Sequence, residues 1–136
     1  MKRQIILENR IEELDALTTF VQTCGETWQL KSNEVFNIQL ALEECVSNVI
    51  MYAYPTEEKH TIQVTAELLQ PDLVFTIEDS GVPFDPTQVA EANISLSAEE
   101  RPIGGLGIFL ARQLMDSMEY RREKEKNLLT LRKRVK

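Results

Sequence analysis

The chain has 136 residues, 43% hydrophobic and 27% charged, with 5 Gly and 5 Pro, a globular composition that argues against disorder or a fibrous repeat. Fifteen basic against 22 acidic residues give a net charge of -7, which speaks against direct nucleic-acid binding or a grip on an anionic membrane, though not against one local phosphate pocket. No apolar run approaches the roughly 20 residues of a membrane span, and the N-terminus has no signal-peptide core. The expectation is one cytoplasmic domain over residues 1–136, with Cys24 and Cys45 as buried free thiols in a reducing compartment.

Gln4 to Glu8 reads as a short edge strand. From Ile11 the residues Leu14, Leu17, Phe20 and Val21 recur at helical spacing, and Gly25 weakens the end of that helix. Ser32 or Asn33 is placed to cap a second helix running to about Tyr54, where Pro55 stops it. Val35, Ile38, Leu42, Val46 and Val49 form its apolar stripe, widened by Phe36, Leu40 and Ile50, so this helix should be largely buried. The period then changes to two: Ile62, Val64, Ala66 and Leu68 alternate, Pro71-Asp72 turns, and Leu73, Phe75 and Ile77 alternate again before Asp79. Residues from about Pro86 to Pro102 read as a long connection with a weak helical hint near Thr87 to Ala92. Gly104, Gly105 and Gly107 precede a short helix with Ile108, Leu110, Ala111 and Leu114, and a hairpin from Met118 to Val135 turns through Glu125-Lys126-Asn127. The order predicts an α+β fold, a two-layer α/β sandwich with helices on one face of a mixed, mostly antiparallel sheet.

Glu44 and Asn48, four residues apart, share one face of the second helix, and Asn37 roughly continues that line. Such a stripe fits a solvated face, and it equally fits a carboxylate and a carboxamide that together hold a divalent ion and orient a hydroxyl. Spacing does not choose between them. Asp79-Ser80-Gly81 is common turn chemistry. The glycine set Gly104-Gly105-Leu106-Gly107 fits either a tight turn or an anion cradle at a helix N-terminus. It is not a P-loop, because no Lys-Ser or Lys-Thr follows, and no βαβ unit makes it a dinucleotide fingerprint.

Three segments together carry a resemblance. Ala41-Leu42-Glu43-Glu44-Cys45-Val46-Ser47-Asn48-Val49-Ile50 resembles the N box of the histidine-kinase-like (GHKL, Bergerat-fold) ATPases. Ile77-Glu78-Asp79-Ser80-Gly81 looks like their first glycine box, and Gly104-Gly105-Leu106-Gly107-Ile108 like the second. The chain is most similar to the small anti-sigma-factor serine/threonine kinases of bacterial partner-switching systems. The resemblance implies an ATP site with Mg²⁺ on Asn48, Glu44 as the base activating the attacking hydroxyl, and Asp79 reading the adenine amino group. Gly81 would let the base approach the backbone, Gly104, Gly105, Leu106 and Gly107 would form the phosphate cradle, and Thr130 would lie near adenine. Residues 87–103 would form a lid, with Arg101 or Arg112 meeting either the γ-phosphate or a surface partner.

Val82-Pro83-Phe84 departs from the family's commoner glycine-containing continuation, and its proline fixes φ and removes a donor. No acceptor histidine or dimerisation helix is present for a sensor kinase, and His60 reads as a surface residue. The implied function is phosphorylation of a small anti-sigma-antagonist domain, with sequestration of a sigma factor and homodimerisation as further implied roles. The alternative is a non-catalytic module that holds nucleotide and captures a regulatory protein.

Overall fold

In the computed structural model, residues 1–54, 58–88 and 105–135 are described. Strand β1 (Lys2–Glu8) leads through a 3-10 turn into α1 (Leu14–Thr27) and α2 (Ser32–Tyr52). Strands β2 (Thr61–Leu69) and β3 (Asp72–Asp79) follow, then α3 (Gly105–Leu114), β4 (Ser117–Glu123) and β5 (Lys126–Arg134). The five strands form one sheet in the order β1-β2-β3-β5-β4. Every described pairing is antiparallel, so the parallel component allowed for by the sequence reading is not seen among the described residues.

Alternation decides which face the helices cover. On β2, Ile62, Val64 and Ala66 are fully buried, while Thr61, Gln63, Thr65 and Glu67 lie on the other face. Leu73, Phe75 and Ile77 of β3 and Leu129 and Leu131 of β5 continue the inward set. Against it pack Leu17, Val21 and Cys24 of α1, Ile38, Leu42 and Val46 of α2, and Ile108 and Ala111 of α3. The result is the α+β, two-layer arrangement that the order of elements implied.

Helix α2 lies between the other two and contacts both. Its apolar stripe is buried at Ile38, Leu42 and Val46, but Phe36 is 62% exposed, so the stripe is narrower than the sequence suggests. The cap also differs. Lys31 occupies the N-cap position, and because lysine has no acceptor, the Glu34 carboxylate reaches back to accept the Lys31 N–H at 2.9 Å.

Gly25 does not end α1. It sits inside the helix, where an added Cβ would lie 2.6 Å from a Val35 methyl, so the glycine lets α1 and α2 approach closely. The helix stops at Gln29, whose φ of 53° puts it in the left-handed region. The Leu30 N–H then donates to the Gly25 carbonyl at 2.9 Å, the outer bond of a Schellman motif. At the end of α3 the Lys133 ammonium donates to the Leu114 carbonyl at 2.8 Å, satisfying one of the helix's unpaired acceptors.

The sequence-expected turn at Glu125-Lys126-Asn127 is shifted. Glu123 pairs with Lys126, and the two residues between, Lys124 and Glu125, have φ of 50° and 65°. That is the two-residue hairpin geometry favoured by strand twist, made here without glycine. Lys126 and Asn127 therefore belong to β5, which places Asn127 at the site described next.

Candidate functional site

A cavity of about 290 Å³ opens between α2, the start of α3 and the edge of the sheet formed by β3, β5 and β4. Its walls are mainly apolar: Val49 and Tyr52 from α2 and Ala53 just after it, Ile77, Val82 and Phe84 from β3 and its following loop, Ile108 from α3, and Leu129 from β5. The polar groups are few. Asn48 lines it from α2, and Asp79 and Asn127 from the sheet. An apolar slot with a small number of placed polar groups suits a flat, amphipathic ligand.

Asp79 is 5% exposed and its side chain is held from two sides. Its Oδ1 accepts the Gly81 N–H at 2.8 Å and the Asn127 amide at 2.9 Å. Burial pushes the carboxyl above its ordinary value, and these two donors work against that rise. The same amide donates to the Val82 carbonyl at 3.0 Å, while the Asn127 carbonyl accepts from the Tyr120 hydroxyl and, at 3.2 Å, from Arg122. Arg122 also donates to the Gly81 carbonyl at 2.8 Å, so the loop after β3 is tied to the β4–β5 hairpin.

The other side of that loop is tied to α2. Val82 donates its N–H to the Ala53 carbonyl at 2.8 Å, and the Ser80 N–H donates to the Tyr54 hydroxyl at 3.1 Å. A Cβ on Gly81 would lie 2.5 Å from the Ala53 carbonyl oxygen, so this glycine is required by the chain's own backbone. His60, expected at the surface, is half-buried and stacks on Tyr54 with ring centroids 4.1 Å apart.

Glu44 lies one turn before Asn48 and is half-buried. Its carboxylate packs against Gly107, where an added Cβ would collide with Oε2. Gly105 and Gly107 fall within the first turn of α3, whose N–H groups have no partner inside the helix. Leu106 shares that turn, whereas Gly104, Arg101 and the bulk of the expected lid lie outside the described residues. Arg112 sits in the last turn of α3.

Thr130, expected near adenine, lies away from the cavity. It pairs with Thr76 and Glu119 on the face away from the helices, while the inward neighbours Leu129 and Leu131 are buried. Period-two alternation therefore puts its side chain on the side of the sheet opposite the cavity. The polar residue that β5 sends to Asp79 is Asn127, three positions earlier. Only the hairpin register could reveal it, because an asparagine beside a turn reads as turn chemistry.

Among the described residues no cluster of three or more His, Cys, Asp or Glu could hold a metal. Asn48 offers one amide oxygen, which fits Mg²⁺ held largely by phosphate and water, and does not fit an all-protein cage. The apolar slot with a carboxylate at its end fits a purine bearing an amino group.

The sequence matches the histidine kinase-like ATPase domain over residues 7–133. The chain belongs to that family. Among curated relatives, this ATPase domain is 27% identical over 101 residues to the anti-sigma F factor of Clostridium perfringens, covering 74% of this chain and 72% of that one. It is 28% identical over 96 residues to the serine/threonine-protein kinase BtrW of Bordetella bronchiseptica, covering 71% and 68%. A crystal structure of RsbU and RsbW domains from Mycobacterium tuberculosis superposes with a TM-score of 0.71 at 17% identity, covering 99% of this chain and 32% of that one. At that identity the likeness concerns the fold. No described helix of the ATPase domain is long and apolar enough to cross a membrane.

Proposed function

We propose that this histidine kinase-like ATPase domain binds ATP with Mg²⁺ and transfers the γ-phosphoryl group to a serine or threonine hydroxyl on a small anti-sigma-antagonist-type partner. The observation that carries the reading is the pairing of Asn48, which lines the cavity, with Glu44 one helical turn before it, whose carboxylate packs on Gly107 at the start of α3. Asp79 takes the adenine amino group at one end of the cavity. The first-turn N–H groups of α3, from Gly105, Leu106 and Gly107, face the anionic end. Asn48 would hold the Mg²⁺, which when bound would neutralise charge on the phosphates. Glu44 accepts the proton of the attacking hydroxyl as its oxygen bonds to the γ-phosphorus and the bond to the β–γ bridging oxygen breaks, leaving ADP.

The likeness to the anti-sigma F factor supports a second role for the same domain, stoichiometric capture of a sigma factor. Among the described strands β1 lies at the edge of the sheet, which suits a homodimer contact.

The test uses γ-labelled ATP, a panel of purified antagonist-type domains, and calorimetry of ATP and ADP with and without Mg²⁺. Wild type is expected to label a hydroxyl residue of one such domain. Asn48→Ala weakens Mg²⁺-dependent ATP binding by about tenfold or more. Glu44→Gln retains nucleotide binding and loses transfer by about a hundredfold or more. Binding of nucleotide without transfer by wild type, and capture of partner unaffected in Glu44→Gln, would instead identify a nucleotide-dependent binding module.

A further inference from the structure

We infer that Asn127 is the positioning residue that makes Asp79 an obligate hydrogen-bond acceptor, and thereby sets the cavity's preference for a 6-amino over a 6-oxo purine. The inference rests on the ATP-site reading above and assigns a specificity determinant within it.

The orientation of the Asn127 amide follows from its neighbours. On one side stands Arg122, which can only donate, 3.2 Å from Oδ1. On the other stand the Val82 and Gly81 carbonyls, which can only accept, 3.0 Å and 3.4 Å from the nitrogen. The NH₂ group must therefore face Asp79, and it donates to Oδ1 at 2.9 Å. The side chain is 5% exposed, so water does not compete freely for these positions. Asp79 Oδ1 already receives the Gly81 N–H at 2.8 Å. Two donors on one oxygen favour the ionised, acceptor-only form of the carboxylate and fix the rotation of its plane. Such a group matches an exocyclic amine and meets a 6-oxo group acceptor to acceptor, an arrangement that leaves both unpaired.

The experiment compares ADP with inosine diphosphate by calorimetry on wild type, Asn127→Asp and Asn127→Thr, with thermal melting of each. Wild type should prefer ADP by about tenfold or more. In Asn127→Asp the Arg122 and Tyr120 contacts keep an acceptor, but two carboxyl groups now face each other and one of them takes up a proton. Carried on the cavity-facing oxygen of Asp79, that proton turns the residue from an acceptor into a donor toward the ligand, so the preference for ADP should fall by about tenfold, with ADP weakening and inosine diphosphate gaining. Asn127→Thr, whose hydroxyl can still donate to Asp79, should keep the preference within about threefold even if its melting point drops.

An unchanged preference in a folded Asn127→Asp overturns the inference, as does a lost preference in Asn127→Thr. If Asn127→Asp does not fold, the Asn127→Thr result decides alone. Wild type that binds both nucleotides equally leaves the nucleotide site standing and removes this inference. Wild type that binds neither removes both.

Discussion

Burial pushes the Asp79 carboxyl above its ordinary value, with the Asn127 amide and the Gly81 N–H opposing the rise. The folded chain therefore holds that proton more tightly than the unfolded chain. Its contribution to stability is full below the ordinary carboxylate range and is lost as pH rises through the folded value. Asp79→Asn should melt higher than wild type at pH 7, and the gap should close as the pH is lowered through that value. The same variant should lose adenine-nucleotide affinity, a trade of stability for binding. Two glycines give a contrasting pair at the same scale. A methyl at Gly81 meets the Ala53 backbone, which cannot step aside, so Gly81→Ala should cost about 1–3 kcal/mol in denaturant unfolding. A methyl at Gly107 meets the mobile end of Glu44. Gly107→Ala should leave the unfolding midpoint nearly unchanged while phosphoryl transfer falls more steeply than ADP affinity, because the displaced group is the proposed base.

At the scale of elements, α1 reverses a familiar rule. Glycine stands inside the helix and glutamine takes the left-handed position at its end. Gly25→Ala gains helix propensity of about 1 kcal/mol, but its methyl drives into a stiff β-branched Val35, and overpacking of about 1–3 kcal/mol should win. Gln29→Gly should do the opposite and raise the unfolding free energy by about 1 kcal/mol, since αL strain is relieved. Denaturant midpoints of the two variants should move in opposite directions. These positions also show how far the chain could be read unaided. The helical and alternating periods placed three helices and five strands close to where they lie, because burial enforces both periods. Glu44 and Asn48 fall on one helix face for the same reason. Local chemistry misled wherever a tertiary contact decided: Gly25 is kept for a helix crossing, Phe36 lies outside the core, and Asn127 belongs to a strand. Thr130 faces away from the cavity because of a register that the hairpin turn at Lys124-Glu125 fixes. The part of the site that depends on one helix is legible in the sequence, as is Asp79 at the end of β3; the Asn127 that β5 brings to it is not.

Across the whole molecule, the helix–sheet core encloses both cysteines, with Cys24 fully buried and Cys45 1% exposed. Burial pushes their thiols up to about 11 and about 12 respectively, so neither supplies thiolate near neutrality. Alkylation in native buffer should proceed only through opening of the fold, and both cysteines should label at one rate if α1 and α2 open together. Faster labelling of Cys24 would show that α1 detaches first, which peptide mapping can resolve. The strand order adds a constraint in time. A ribosome releases β4 before β5, yet β5 must settle between β3 and β4. Until Lys126–Arg134 has left the exit tunnel, β4 has no neighbour and Asp79 has no Asn127. A nascent chain stalled anywhere upstream thus lacks Asn127 and Leu129, two walls of the cavity, and the pocket can close only after β5 has slid in between its neighbours.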